Sequence, residues 1–176
     1  VYELILNPEN NNQYMLDGKW IDFEVVTQVF KVKLFGPFYI KYPFDMYFSK
    51  HGPVLKDSKK AYALRYVGMD DVNHSTAWLQ LNKARNLNEW KDALKMQQIA
   101  SLNLIYADKD DNIFFVHNLK SPIRNKNFDW KEVVPGNDSS LIWDEYYSFE
   151  QIPQILNPKS GYLFSTNQNP FYVTTL

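Results

Sequence analysis

The chain has 176 residues, enough for one domain, and its 19 basic and 20 acidic residues give a formal net charge of −1. This near-neutral balance provides no electrostatic footprint for nucleic acid, and no basic amphipathic helix indicates a membrane surface. The absence of cysteine excludes disulfides, thiolate nucleophiles and cysteine-based zinc sites.

The first third of the chain is predicted to form β-structure. Residues 23–34 alternate loosely between apolar and polar side chains, and Phe38–Phe48 is a second β-branched and aromatic run. Pro43 interrupts this second run and predicts an edge strand or a bend, because proline cannot donate a ladder hydrogen bond. After a Gly-Pro turn, two shorter strands are predicted at Val54–Leu55 and Tyr62–Val67.

A helical pair is predicted near residues 72–99. The first helix covers about Val72–Lys83. The second opens at Asn86, an N-cap residue with Glu89 three residues further on, which is the spacing of a capping box. Core packing is preferred over a ligand-binding stripe for the side chains expected to face inward. These are Ala77, Trp78 and Leu79 in the first helix and Leu87, Trp90, Ala93 and Leu94 in the second.

The chain then returns to β-structure in a hairpin with strands Asn103–Ala107 and Ile113–Val116. The acidic connection, residues 108–112, invites a calcium interpretation. It lacks the twelve-residue spacing, invariant Gly and terminal Glu of an EF-hand, so a solvated turn is preferred. A long loop follows over Asn118–Asp144, and long ordered loops tend to serve function or wrap another surface.

The three histidines are far apart in the sequence and lack the paired spacing of a zinc helix. None of them is assigned a catalytic or metal-binding role. His51 precedes a Gly-Pro pair, and hydrogen bonding that fixes this turn is its expected role.

The most informative stretch is Asn157–Pro170, a turn followed by a short apolar run and a cluster of amides. The turn residues predict a bend before Tyr162–Phe164, which suits a strand. Pro170 disfavours a helical conformation at Asn169, so Asn167 is expected in a fixed extended or turn geometry. A neutral amide held in this way can stabilise a developing oxyanion. The alternative is that Asn167 and Asn169 satisfy backbone groups of the turn, since Asx-turns are far commoner than oxyanion holes.

Several motifs resemble, in order, those of the penicillin acylase family, whose members are amide hydrolases with an N-terminal nucleophile. Each motif alone is weak, whereas their common order along nearly the whole chain is specific. The matching segments are Asp17–Trp20, His51–Val54, Tyr62–Arg65, Asn86–Ala93, Asn103–Asp108, Pro122–Arg124 and Asn157–Pro170.

The resemblance implies an α+β fold that is part of an αββα-type N-terminal-nucleophile hydrolase, with antiparallel strands. It places the oxyanion-hole asparagine at Asn167 and makes residues 1–176 a single fragment of a larger domain. The family's nucleophile, a Ser freed by autoproteolytic processing, has no counterpart, because Val1–Leu6 resembles a strand that follows it. The isolated chain is therefore expected to be inactive. Its implied partners are the small subunit, the remaining large subunit and a small acyl-amide substrate.

The chain departs from the family pattern at two turns and in the ligands of a metal site. Family members usually have Gly at the position of Asp111 and another near Leu119, so both turns are expected to be built differently here. No cofactor is assigned to this fragment. A calcium ion is implied for the full-length enzyme, but its main carboxylate ligands would lie before Val1 and beyond Leu176, with only a backbone carbonyl near Trp130 in this chain. The resemblance also implies a periplasmic or secreted enzyme.

The alternative function is an aromatic-rich module that binds carbohydrate or another ligand. Aromatic residues make up 16% of the chain, and exposed Trp and Tyr rings stack on sugars. This alternative predicts a coplanar row of solvent-facing rings and a complete fold with protected edges. The acylase interpretation predicts apolar faces and unpaired strand edges where the rest of the enzyme docks.

Overall fold

A computed structural model describes residues 1–166 of the chain. It divides into two compact units, one formed by Val1–Arg65 with Arg124–Trp143 and the other by Tyr66–Ile123 with the chain from Asp144 onward. In chain order the elements are β1 (Tyr2–Leu4), β2 (Gln13–Leu16), β3 (Lys19–Asp22), β4 (Glu24–Phe35), β5 (Phe38–Ser49), β6 (Gly52–Lys56), β7 (Ala61–Ala63), α1 (His74–Lys83), α2 (Leu87–Lys95), β8 (Leu104–Ala107), β9 (Ile113–Val116), β10 (Val134–Pro135) and β11 (Gln154–Leu156).

The first unit is built on a six-stranded sheet with the strand order β10-β1-β7-β6-β5-β4. All neighbouring pairs are antiparallel except β1 and β10, which run parallel with Tyr2 opposite Val134. The predicted strands over residues 23–34 and Phe38–Phe48 are confirmed as β4 and β5. The strand predicted over Tyr62–Val67 is shorter than expected, because its pairing with β1 and β6 ends at Ala63.

Pro43 occupies an edge position in β5. It lies opposite Val29 of β4, and β5 pairs with β6 only over Tyr47–Ser49. The side of β5 that faces away from β4 is therefore unpaired at Pro43 within residues 1–166, which is the edge setting in which strands tolerate proline. The edge-strand prediction is confirmed.

Aromatic side chains form the core of the first unit. Tyr14 and Phe23 stack with ring centroids 4.9 Å apart, and both rings are buried. The hydroxyl of Tyr2 donates to the carbonyl oxygen of Leu141 at 2.8 Å, and the hydroxyl of Tyr14 accepts from the Lys50 N–H at 3.0 Å. Each buried phenol thus has a hydrogen-bond partner, as burial of a polar group requires.

The second unit packs α1 and α2 with an antiparallel three-stranded sheet of order β11-β9-β8. The predicted N-cap at Asn86 is confirmed, because the Glu89 N–H donates to Asn86 Oδ1 at 3.0 Å. The reciprocal bond of a capping box is not formed: the Glu89 carboxylate accepts from the Arg85 N–H at 2.9 Å and from Asn86 Nδ2 at 2.9 Å instead of from the Asn86 N–H. The buried core consists of Ala77, Leu81, Ala93, Leu94, Ile99, Phe114, Val116, Leu119, Phe149 and Ile152, with Trp78, Leu87 and Trp90 partly buried against it.

The prediction that Leu79 of α1 faces inward was wrong. Leu79 is 50% exposed, whereas Leu81 is only 7% exposed and belongs to the core. Residues four apart share a helix face and residues two apart do not, so the buried Ala77 places Leu81 inward and Leu79 outward. No helix within residues 1–166 has both the length and the apolar character needed to cross a membrane.

Candidate active site

The segment that leads to Asn167, the predicted oxyanion-hole residue, begins at the end of β11. This strand is antiparallel to β9, and Asn157 extends the pairing by one step. Its N–H donates to the carbonyl of Ile113 at 2.9 Å, and its Oδ1 accepts from the Ile113 N–H at 2.8 Å. Asn157 has a φ of 47°, a left-handed conformation that asparagine tolerates better than most residues. The chain therefore leaves the sheet at a defined point.

The predicted turn after Asn157 is confirmed. The Gly161 N–H donates to the carbonyl of Pro158 at 2.9 Å, and the Ser160 hydroxyl donates to the carbonyl of Tyr162 at 3.2 Å. Gly161 has a φ of 73°, which glycine adopts without the steric cost that a Cβ would add.

The strand predicted at Tyr162–Phe164 is not formed. The composition suits a strand, but a strand also needs a neighbouring backbone, and no ladder pairing reaches these residues within the described chain. The Tyr162 and Phe164 side chains are 64% and 66% exposed, and their rings stack with centroids 6.4 Å apart.

Asn103 connects Ser165 to the hairpin of β8 and β9. Its Nδ2 donates to Ser165 Oγ at 3.2 Å, and its Oδ1 accepts from the Asn118 N–H at 2.9 Å. Asn103 directly precedes β8, and Asn118 lies just beyond β9. One amide thus links the two ends of the hairpin to the segment that leads towards Asn167.

A cavity of about 480 Å³ lies beside this segment. Its walls are more apolar than polar and come from β9, β11 and the turn, and the polar members are Asn103, His117, Gln154, Ser160 and Ser165. His117 is 5% exposed, and its Nε2 has no hydrogen-bond partner within residues 1–166. Burial lowers the pKa of His117 below its ordinary value, so the imidazole is neutral at pH 7. The apolar wall residues include Phe115, Pro153, Ile155, Tyr162, Leu163 and Phe164.

Sequence patterns gave no role to Asn103 or His117 individually. Asn103 belongs to one of the resembling motifs, and only the fold brings it to Ser165, 62 positions away. Asn167 and Asn169, the predicted amides, lie outside the described residues.

The acidic turn, residues 108–112, is held by its own hydrogen bonds. Asp108 accepts from the Tyr106 hydroxyl at 2.9 Å, from the Asp110 N–H at 2.9 Å and from the Asn112 N–H at 3.0 Å. Desolvation raises the pKa of Asp108, but the hydrogen bonds from the Asn112 side chain and from these other donors together outweigh it and hold the pKa below its ordinary value. Within residues 1–166, no group of three His, Asp or Glu side chains is arranged to hold a metal ion.

His51 is fully buried in the first unit. Its backbone N–H donates to Ser49 Oγ at 3.2 Å, and its carbonyl accepts from Arg65 Nη1 at 3.4 Å. Neither ring nitrogen has a partner among the described residues. Hydrogen bonding at the turn thus involves the backbone of His51, while its ring packs against Tyr2 with centroids 4.6 Å apart.

Comparison with known proteins agrees with this geometry. The family profile described as penicillin amidase matches residues 1–175. The chain belongs to the penicillin amidase family. It is 30% identical over 169 residues to penicillin G acylase of Escherichia coli, an alignment that covers 94% of this chain and 19% of that protein. It is 25% identical over 182 residues to the acyl-homoserine lactone acylase PvdQ of Pseudomonas fluorescens, covering 89% of this chain and 23% of that protein.

The fold is that of the corresponding part of a penicillin acylase. A solved structure, the thermostable penicillin G acylase from Alcaligenes faecalis, superposes with a TM-score of 0.83 at 30% identity, over 96% of this chain and 30% of that chain. The predicted fold class is confirmed. The chain spans about a fifth of the length of the curated relatives named above.

Two turns at which the resemblance implies a glycine have other residues in this chain. Asp111 has a φ of 62° and Asn118 a φ of 47°. Both values lie in the left-handed region, which glycine enters freely and which Asp and Asn tolerate better than other residues. The backbone conformation that favours glycine is therefore present at both turns without glycine.

Proposed function

We propose that this chain is a segment of an acylase that hydrolyses a linear acyl amide through an N-terminal serine located elsewhere in the parent protein. Family membership supports amide hydrolysis, and the names of the relatives point to two substrate classes, penicillin G and acyl-homoserine lactones. Lipopeptides are a third class of acyl amide that the same reaction would cleave. The parent is proposed to be exported, processed by self-cleavage and composed of a small and a large subunit.

The proposed contribution of this chain is the oxyanion donor Asn167. The observation that carries this assignment is the anchoring of the chain just before it. A hydrogen-bonded turn closes at Gly161, and Asn103 holds Ser165, two residues before Asn167. A donor that stabilises a transition state must be pre-positioned, because reorganisation during the reaction would consume the stabilisation.

In the proposed mechanism, the serine Oγ attacks the amide carbonyl while the α-amino group of the same serine takes its proton. The carbonyl oxygen becomes an oxyanion, to which the Asn167 amide and a backbone N–H from outside this chain donate. The leaving amine departs with a proton, and water then releases the acid from the acyl-enzyme. The isolated chain lacks the serine and is proposed to be inactive.

The apolar cavity beside Ser165 supports an apolar acyl group as part of the substrate. Its aromatic and aliphatic walls favour a hydrocarbon or phenyl group, and the neutral His117 adds no charge. We propose that these walls contribute to the acyl pocket of the parent enzyme.

The test uses the full-length parent protein with a chromogenic phenylacetyl amide and a long-chain acyl-homoserine lactone as substrates. The Asn167→Ala variant should lose about a hundredfold in kcat, because one oxyanion donor contributes ~3 kcal/mol to the transition state. Self-cleavage and folding should persist. Asn169→Ala is the matched control, an amide in the same segment, and should retain activity within a few-fold. Near-normal hydrolysis by Asn167→Ala would return this residue to a structural role.

The second candidate, a carbohydrate-binding module, is favoured by the stacked and exposed rings of Tyr162 and Phe164. It predicts that Tyr162→Ala and Phe164→Ala abolish binding of oligosaccharides to a protein without hydrolase activity. The unpaired outer edge of β4 within residues 1–166 favours the acylase, since the alternative requires protected edges.

A further inference from the structure

The long hairpin of β4 and β5, here called the ribbon, has two chemically different faces. Cross-strand pairs alternate between the faces, because successive side chains point to opposite sides of a strand. Phe30 lies opposite Tyr42 and Val32 lies opposite Ile40, on the face that also carries Phe44. The Phe30 and Phe44 rings contact each other, with centroids 6.3 Å apart. All five side chains are exposed, and we call this side the apolar face.

The opposite side, the lysine face, carries a different set of residues. Lys31 lies directly opposite Lys41, Lys33 opposite Tyr39, and Thr27 opposite Asp45. One apolar pair, Val29 and Pro43, lies between these polar pairs on the same side. Like charges opposite each other repel and are tolerated only where water screens them. No ion pair involving these three lysines is formed within residues 1–166. This face therefore suits solvent.

The apolar face has no cover within the described chain, and it continues beyond the ribbon. Phe48 of β5 lies on the same side as Phe44, and it is opposite Pro53 of β6. Leu55, two residues after Pro53, shares this side and is 66% exposed. A two-stranded ribbon is only marginally stable by itself in water. Such a ribbon with a continuous exposed apolar side is typical of a surface that another element buries.

We propose that the apolar face is a docking surface for polypeptide of the same parent protein that lies outside these 176 residues, and that the lysine face remains in water. The relatives provide the length for such an occupant, because the chain spans only 19% and 23% of the two named above. The depletion of charge on one face matches the core of a permanent interface, which is more apolar than ordinary protein surface. This inference needs no catalytic role for the chain and is tested without activity measurements.

The test places single cysteines at neighbouring positions of β4 in the full-length parent. The chain contains no cysteine, so each probe is unique within it, and mass spectrometry of the labelled peptide separates it from any other thiol. Val32→Cys reports on the apolar face, and Lys31→Cys, its neighbour in the strand, is the matched control. Ile40→Cys and Lys41→Cys form a second pair in β5, in case one substitution impairs folding.

The measurement is the rate of maleimide labelling in native protein relative to the same variant in denaturant. We expect at least ~100-fold protection at positions 32 and 40 and less than ~3-fold at 31 and 41, because a covered thiol reacts only through local opening. Rapid native labelling at all four positions would show that the apolar face is not covered. Protection at all four would contradict a solvated lysine face. Protection that disappears on dilution would identify a second copy, rather than the same polypeptide, as the occupant.

Discussion

Removing the Asn103 side chain should loosen the segment that leads to Asn167. An Asn103→Leu substitution keeps the branched shape of the side chain but loses the donor to Ser165 Oγ and the acceptor for the Asn118 N–H. A hydrogen bond contributes about 1 kcal/mol net to stability. A partly buried N–H that is left without an acceptor costs about 1–3 kcal/mol. We therefore expect the local free energy of opening around Asn118 to fall by about 2 kcal/mol.

Hydrogen exchange of the full-length parent measures this loss at a single amide. A change of about 2 kcal/mol corresponds to roughly thirtyfold faster exchange of the Asn118 N–H in Asn103→Leu. Ser165→Ala is the matched control, because it removes the other bond of Asn103 and leaves the acceptor of Asn118 in place. Exchange at Asn118 should change by less than about threefold in that variant. An unchanged exchange rate in Asn103→Leu would refute the role given to this amide.

Further predictions concern the N-cap of α2, a left-handed turn and a buried histidine. Asn86→Ala removes the acceptor of the Glu89 N–H and should weaken the first turn of α2 by about 1 kcal/mol, measured by amide exchange. Asp111→Gly should leave thermal stability equal or higher, whereas Asp111→Val should cost at least about 1 kcal/mol, because φ is 62° there. Burial lowers the pKa of His51 to about 4, with a smaller contribution from Arg65. As the pH falls from 6.5, the imidazole is therefore protonated in the unfolded state before it is protonated in the folded state. The free energy of unfolding should fall by up to about 3 kcal/mol between pH 6.5 and about pH 4. Thermal unfolding of His51→Phe should lack this component, and an identical pH dependence in both proteins would exclude His51 as its source.

Elements with a local cause were predictable from sequence. The N-cap at Asn86, the hairpin around Asp108–Asn112 and the turn at Gly161 each form through bonds within a few residues. Pro43 belongs to the same class, since a missing N–H confines proline in a sheet to edge positions, and β5 has no second neighbour at Pro43 within residues 1–166.

Elements that depend on a distant partner were not predictable in this way. Tyr162–Phe164 has strand composition but no pairing neighbour within the described residues, and β10 is too short to recognise until Val134 meets Tyr2. The contact between Asn103 and Ser165 likewise joins two residues whose sequence neighbourhoods suggest nothing about each other.

The sequence by itself determined the family, the longer strands, both helices and several turns, because these follow from motif order, hydrophobic period and local hydrogen bonding. Only the tertiary structure decided which sides of these elements are covered. It placed Leu79 outward and Leu81 inward. Within residues 1–166 it left one apolar face of the ribbon uncovered and gave the ring nitrogens of the buried His51 no hydrogen-bond partner. Burial depends on what packs against a residue from elsewhere in the chain, and no local pattern contains that information.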